Sequence, residues 1–239
     1  MALTLLKLLA LAPVIAPQGL WVAARAARLP EASGDRMGKA GHGPALRLLV
    51  LGDSSAAGVG VDTQSEALGG RLAARLAARF SVQWQVVARC GGTVRSTMRL
   101  VDELPSQPFD AVIVALGVND TKNGVSLKSW TGGYRALLDQ IADRFGPGCI
   151  CVSGLPPLGE FPVLPAPLSR VLGERAHLFD THLRVIAAGR ADTAYLPLDF
   201  PMDVTQMASD GFHPGPDVYD AWAARAAELF TEKLSPKLE

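Results

Sequence analysis

Five short runs rich in Val, Ile and Leu, at residues 46–51, 82–90, 111–116, 149–153 and 194–198, are separated by longer stretches of helical periodicity. This alternation constrains the chain more than any other feature. Brevity and enrichment in Val and Ile make these runs read as buried strands. Within 64–80, Leu68, Leu72 and Leu76 recur every four residues, with Arg71, Arg75 and Arg79 on a neighbouring face. Within 126–145, Tyr134, Leu137, Leu138 and Ile141 form a stripe that Gly146-Pro147 ends. Residues 169–190 and 216–234 also read as helices. Strands that alternate with helices imply a mostly parallel sheet covered on both faces. With 239 residues, 49% of them apolar, the chain can build one such domain and its core.

The amino-terminal 43 residues fall outside this rhythm. We expect residues 1–43 to be an apolar helix plus a polar linker at 29–43, and residues 44–239 to be the domain. The apolar run at 8–15 is short for a membrane span and is bounded and interrupted by Pro13 and Pro17. Two readings stay open: a peripheral helix in residues 1–29 that packs on the domain or touches a membrane, and a signal peptide with weak cleavage sites. The first places the protein in the cytoplasm or at a membrane. The second places it outside.

Lys and Arg together number 23, as do Asp and Glu, so the formal net charge is zero. That balance argues against nucleic acid or anionic membrane as a partner attracted by overall charge. Cys90, Cys149 and Cys151 are an odd set without a C-x-x-C pair, and Cys149 and Cys151 share a strand face. We expect buried thiols, no disulfide framework, no zinc site and no cofactor.

In parallel sheets, function gathers beyond the carboxyl ends of the strands. There the chain places Gly52-Asp53-Ser54-Ser55, Cys90-Gly91-Gly92-Thr93, Gly117-Val118-Asn119-Asp120 and Asp210-Gly211-Phe212-His213-Pro214. Together these hold the parts of an acyl-transfer site. A serine hydroxyl becomes a nucleophile when a base takes its proton. His213 suits that task, because an unperturbed imidazole titrates near neutrality. Asp210, three residues earlier, can fix its tautomer. The backbone N–H groups of Ser54 and Gly91 and the side-chain amide of Asn119 are candidate donors to a developing oxyanion. Asp53 and Asp120 read as carboxylates that brace loops, and Ser55 as a cap or brace.

These four blocks, in this order, resemble the SGNH (GDSL-type) hydrolases: Gly-Asp-Ser at 52–54, glycine before Gly-Thr at 91–93, Gly-x-Asn-Asp at 117–120 and Asp-x-x-His-Pro at 210–214. The resemblance runs from about residue 46 to the carboxyl terminus. It implies a flavodoxin-like three-layer α/β/α sandwich with a five-stranded parallel sheet. It also implies a metal-free Ser54–His213–Asp210 esterase with Ser54, Gly91 and Asn119 in the oxyanion hole. Two departures stand out. Ser55 replaces the usual leucine, and Ala88-Arg89-Cys90 lacks the frequent asparagine, which leaves Gly91 less firmly chosen over Gly92.

Gly58-Val59-Gly60 is not a nucleotide loop, since neither G-x-G-x-x-G nor a Walker lysine follows. The Pro-rich, apolar segment 154–173 is expected to form an acyl-binding or lid surface through Phe161, Val163, Leu164 and Leu168. Aromatic residues make up only 6% of the chain, which favours a short- to medium-chain carboxylic ester over a polysaccharide. The same machinery could serve thioesters, lysophospholipids or acetylated sugars, and a fold of this kind could also be a non-catalytic binding module.

Overall fold

The computed structural model describes residues 2–25, 29–200 and 205–238, with side chains from residue 10 to residue 234. The five expected strands are present: β2 (Ala45–Gly52), β3 (Ser81–Ala88), β4 (Ala111–Ala115), β5 (Cys149–Ser153) and β6 (Thr193–Leu196). They pair in parallel in the order β3-β2-β4-β5-β6. Every residue of β4 and β5 is buried, as strands covered on both faces require.

A sixth strand, β1 (Met37–Ala40), lies inside the stretch expected to be a polar linker, and pairs antiparallel with β3 at the sheet edge. Its sequence, Met-Gly-Lys-Ala, has no β-propensity to announce it. Pairing with β3 recruits it, and it caps an edge that would otherwise be open.

Helices cover both faces. On one, α2 (Leu68–Leu76) packs on α7 (Pro216–Leu238). On the other, α3 (Val94–Glu103) packs on α5 (Leu127–Phe145), and α5 on α6 (Leu168–Ala188). The fold is thus a three-layer α/β/α sandwich. Helix α2 is shorter than its leucine repeat suggested, because residues 64–67 are used in turns. Helix α5 starts where Ser126 accepts the Ser129 N–H at 3.1 Å, and ends at left-handed Gly146.

Helix α1 (Ala2–Arg25) lies on α6. Gln18 fastens it there, donating to the Ala166 carbonyl at 2.7 Å and accepting the Leu168 N–H at 3.1 Å. Ile15 and Val22 pack on the core, while Leu20 and Trp21 face outward. Among the described residues, no helix is long and apolar enough to cross a membrane. The cysteines form no disulfide; Cys149 and Cys151 are buried, but Cys90 is exposed, contrary to expectation, because its loop leaves the sheet at the end of β3.

The register matters most for the site. Gly52 lies beside both Ala88 and Ala115, and Ser153 beside Leu196. The carboxyl ends of β2 to β6 therefore meet at one rim, and the loops that follow them open onto the same space.

Candidate active site

The loop after β2 must turn sharply against β4. A Cβ on Gly52 would lie 2.5 Å from the Ala56 Cβ and 2.7 Å from the Ala115 carbonyl oxygen, so only glycine fits. The turn then closes on itself. Ala57 N–H donates to the Asp53 carbonyl at 3.0 Å, and Val59 N–H to the Ser54 carbonyl at 3.0 Å. Buried Tyr219, on α7, donates its hydroxyl to the carbonyls of Ser55 and Val59 at 2.9 and 2.7 Å. Ser54 is thus held by backbone bonds and by a remote helix.

The hydroxyl of Ser54 lies 2.9 Å from His213 Nε2. On the other side of the ring, His213 Nδ1 lies 2.5 Å from Asp210 Oδ2. Asp210 Oδ1 accepts the N–H groups of Phe212 and His213, each at 2.9 Å, so a tight Asx-type turn presents the imidazole. The side chain of Asp210 is almost wholly buried, and that of His213 is 19% exposed, open enough to meet a substrate. Burial pushes the Asp210 carboxyl up. The bonds from the His213 ring and from the two N–H groups outweigh it and leave the group below the ordinary carboxylate value. An ionised Asp210 holds the proton on Nδ1, which leaves Nε2 as an acceptor for the Ser54 hydroxyl. Such a relay can take a proton from a hydroxyl as it attacks an acyl carbon.

Around Ser54 lie the expected donors. Gly92 N–H is spent on the Arg89 carbonyl at 2.8 Å, whereas among the described residues the N–H groups of Ser54 and Gly91 have no acceptor. Of the two glycines, Gly91, the one preferred from the sequence, thus has its N–H available to a ligand. Gly91 has a φ of +74°, and nothing stands within 4 Å of where its Cβ would be, so a ligand can approach its backbone. Thr93 then opens α3 by accepting the Ser96 N–H at 3.2 Å.

Asn119 sits in the short helix α4 (Val118–Lys122) and is buried. Its Nδ2 donates to Asp53 Oδ2 and to the Gly92 carbonyl, each at 3.0 Å. The amide that the sequence marks as a candidate oxyanion donor is engaged here with the loops on either side. Asp53 also accepts the Ser55 N–H at 3.0 Å and the Ser55 hydroxyl at 2.8 Å. Burial raises the Asp53 pKa, although the Ser55 bonds and the charges of His213 and Lys122 pull the other way. Asp120 accepts the Val94 N–H at 3.1 Å, and burial pushes its carboxyl up to about 6. Asp53, Asp120 and Ser55 therefore tie the β2, β3 and β4 loops together.

Ser54 and His213 open onto a cavity of about 60 Å³. Its walls are mainly apolar: Leu116, Leu155, Phe161, Leu198, Phe200, Met207, Phe212 and Trp222. Of the four loop residues expected to face substrate, Phe161 lines this cavity. Val163, Leu164 and Leu168 do not. Leu164 and Leu168 turn into the core, Leu168 at the start of α6, and half-buried Val163 packs beside Gly211. A Pro-rich loop that crosses a sandwich hides its leucines like any other core segment. The remaining walls went unnoticed because they come from distant segments. The one available signal was Trp222, a lone large aromatic in an Ala-rich stretch of α7.

Comparison with known proteins gives a family and a fold. A family model described as the GDSL-like Lipase/Acylhydrolase family matches residues 50–221. No curated protein sequence matches the chain. Solved structures match in fold. A carbohydrate esterase family 2 enzyme with a carbohydrate-binding domain, from Corynascus thermopiles (Myceliophthora fergusii), has a TM-score of 0.66 at 14% identity, covering 81% of this chain and 68% of that one. A carbohydrate acetylesterase family member from Sinorhizobium meliloti has a TM-score of 0.59 at 18% identity, covering 79% and 99%. The psychrotrophic esterase EstA from Pseudoalteromonas sp. has a TM-score of 0.58 at 16% identity, covering 79% and 98%. At these identities the likeness is one of fold.

Proposed function

Because the chain belongs to the GDSL-like lipase/acylhydrolase family, we propose that it is a serine hydrolase acting on short-chain carboxylic esters. The observation that carries this reading is the continuous Asp210–His213–Ser54 relay opening onto a small apolar cavity. A cavity of about 60 Å³ accepts a few heavy atoms, an acetyl to butyryl group, on the scale where one water fills roughly 10–15 Å³.

In this reading His213 Nε2 takes the Ser54 proton while Oγ bonds to the acyl carbon. The carbonyl electrons move to oxygen, and the oxyanion accepts from the N–H groups of Ser54 and Gly91. Asn119 joins by exchanging one of its resting bonds for a bond to the oxyanion. The exchange with the neutral Gly92 carbonyl is favourable, since a charge-assisted bond replaces a neutral one. Collapse expels the alkoxide, which takes the proton from Nε2 and leaves as the alcohol. Water then attacks the acyl-enzyme, giving its proton to His213. The acid departs, and Ser54 regains its proton.

Acetylated sugars are a substrate class that the cavity size favours alongside simple short esters, and two of the fold's neighbours are described as carbohydrate esterases. The test is turnover of p-nitrophenyl acetate, butyrate, octanoate and palmitate by the full chain. Acetate and butyrate should be cleaved fastest, and Ser54→Ala should abolish turnover while Ser55→Ala keeps most of it. Absence of turnover on all four esters and on an acetylated xylo-oligosaccharide overturns the reading.

A further inference from the structure

The segments that carry the candidate oxyanion donors also carry cations that, among the described residues, have no carboxylate within ion-pair distance. Lys122 ends α4, three residues after Asn119, and its Nζ lies 4.8 Å from the centroid of the Phe212 ring. That ring lies 5.4 Å from the His213 ring, so the ammonium is within about 10 Å of the imidazole. Among the described residues, no carboxylate lies within ion-pair distance of Lys122, and no acceptor lies within hydrogen-bond distance of its Nζ. The ring face satisfies the charge in part and leaves the N–H donors unused. Lys122 is exposed; partial desolvation of its ammonium lowers its pKa, with the Asp53 charge opposing. Arg89, two residues before Gly91, and Arg95, in the first turn of α3, are also exposed and without a carboxylate partner among the described residues. Lys122, Arg89 and Arg95 thus stand near the candidate oxyanion donors Asn119 and Gly91 in the chain.

Resting on the esterase reading above, we propose that Lys122 determines specificity by receiving an anionic substituent, a carboxylate or phosphate, on the alcohol half of the ester. The alcohol half is chosen by position. Phe212 lines the acyl cavity, whereas Lys122, whose ammonium lies over that ring, does not line it. An anion inside that apolar space would lose its hydration without return. An anion on the departing alcohol would meet the ammonium over the outer side of the ring.

The test compares 4-acetoxybenzoate with 4-acetoxybenzamide, which share acyl group, ring and size and differ in charge. In the wild-type chain the ratio of kcat/KM, anionic over neutral, should exceed that of Lys122→Met by about tenfold, the worth of one screened charge pair near a surface. The difference should fall mainly in KM, shrink with added salt and be partly restored in Lys122→Arg. Methionine keeps an apolar stem over Phe212, so turnover of the neutral ester should stay unchanged. An unchanged ratio, or equal losses on both esters, overturns the proposal. If the wild-type chain cleaves neither ester, turnover of the p-nitrophenyl esters and the acetylated xylo-oligosaccharide decides the esterase reading, and titration with 4-hydroxybenzoate and 4-hydroxybenzamide decides the role of Lys122 separately. Tighter binding of the anion, lost in Lys122→Met, upholds it; equal binding of the two overturns it.

Discussion

Asp53→Asn is the most informative single substitution in this site. The carboxylate accepts two bonds from Ser55 at Oδ1 and one from Asn119 Nδ2 at Oδ2. An asparagine oxygen can keep both Ser55 bonds. Its Nδ2 then faces Asn119 Nδ2 across 3.0 Å, donor against donor. Turning the Asn119 amide over does not help, because its oxygen would then face the Gly92 carbonyl, which now accepts from it. One buried mispairing is unavoidable, at a cost of about 1–3 kcal/mol. Removing a carboxylate whose pKa burial has raised returns part of that cost. Stability should therefore fall by only about 1–2 kcal/mol, measured by urea unfolding. Activity should suffer more. Asn119 loses its set orientation, and an oxyanion donor of this kind is worth about 10²–10³ in kcat. On p-nitrophenyl acetate, kcat should drop about 10²-fold with KM little changed. Because Asp53 acts through Asn119, Asp53→Asn combined with Asn119→Ala should cost no more than Asn119→Ala alone. Additive losses in that double-mutant cycle, or a single-variant kcat close to wild type, would refute the reasoning.

Other outcomes follow from the same geometry. Asp210→Asn removes the charge that fixes the His213 tautomer, and kcat should fall about 10⁴-fold in steady-state assays with the fold intact by circular dichroism. Asp120, with a folded pKa of about 6 against roughly 3.9 in the unfolded chain, binds more protons folded than unfolded between those values. Stability should therefore fall as pH rises through that window and level off above it. Asp120→Asn, which can still accept the Val94 N–H, should flatten that slope and be about 1–2 kcal/mol more stable at pH 8, by urea titrations across the range. Leu198→Ala should enlarge the acyl cavity, cost about 2–3 kcal/mol and move the preferred p-nitrophenyl ester towards longer chains; an unchanged preference would mean that Leu198 does not bound the acyl space.

The sheet core was legible because strands buried on both faces must be continuously apolar, as 111–115 and 149–153 are. The edge strand 37–40 was not, since Met-Gly-Lys-Ala pairs only because β3 offers an open edge. The small polar blocks at 52–54, 117–120 and 210–214 stood out as polar breaks in an apolar pattern, and hydrogen bonds join them in space. Asn119 shows the limit of such reading. Its side chain could be assigned from the motif, but its two present bonds depend on where the Asp53 and Gly92 loops end up in space. The loop 154–173 shows another limit. Apolarity marked it correctly as contacting something, but for Leu164 and Leu168 that something is the core.

The central claim, that Ser54 is an activated nucleophile, is tested most directly by fluorophosphonate labelling followed by intact-mass and peptide analysis. Only a serine whose proton is taken by a neighbouring base reacts readily with such a probe. The wild-type chain and Ser55→Ala should each gain one phosphonyl group, on the peptide containing residue 54, and Ser54→Ala should gain none. A wild-type chain that stays unlabelled, or a label that survives in Ser54→Ala and vanishes in Ser55→Ala, would contradict the account.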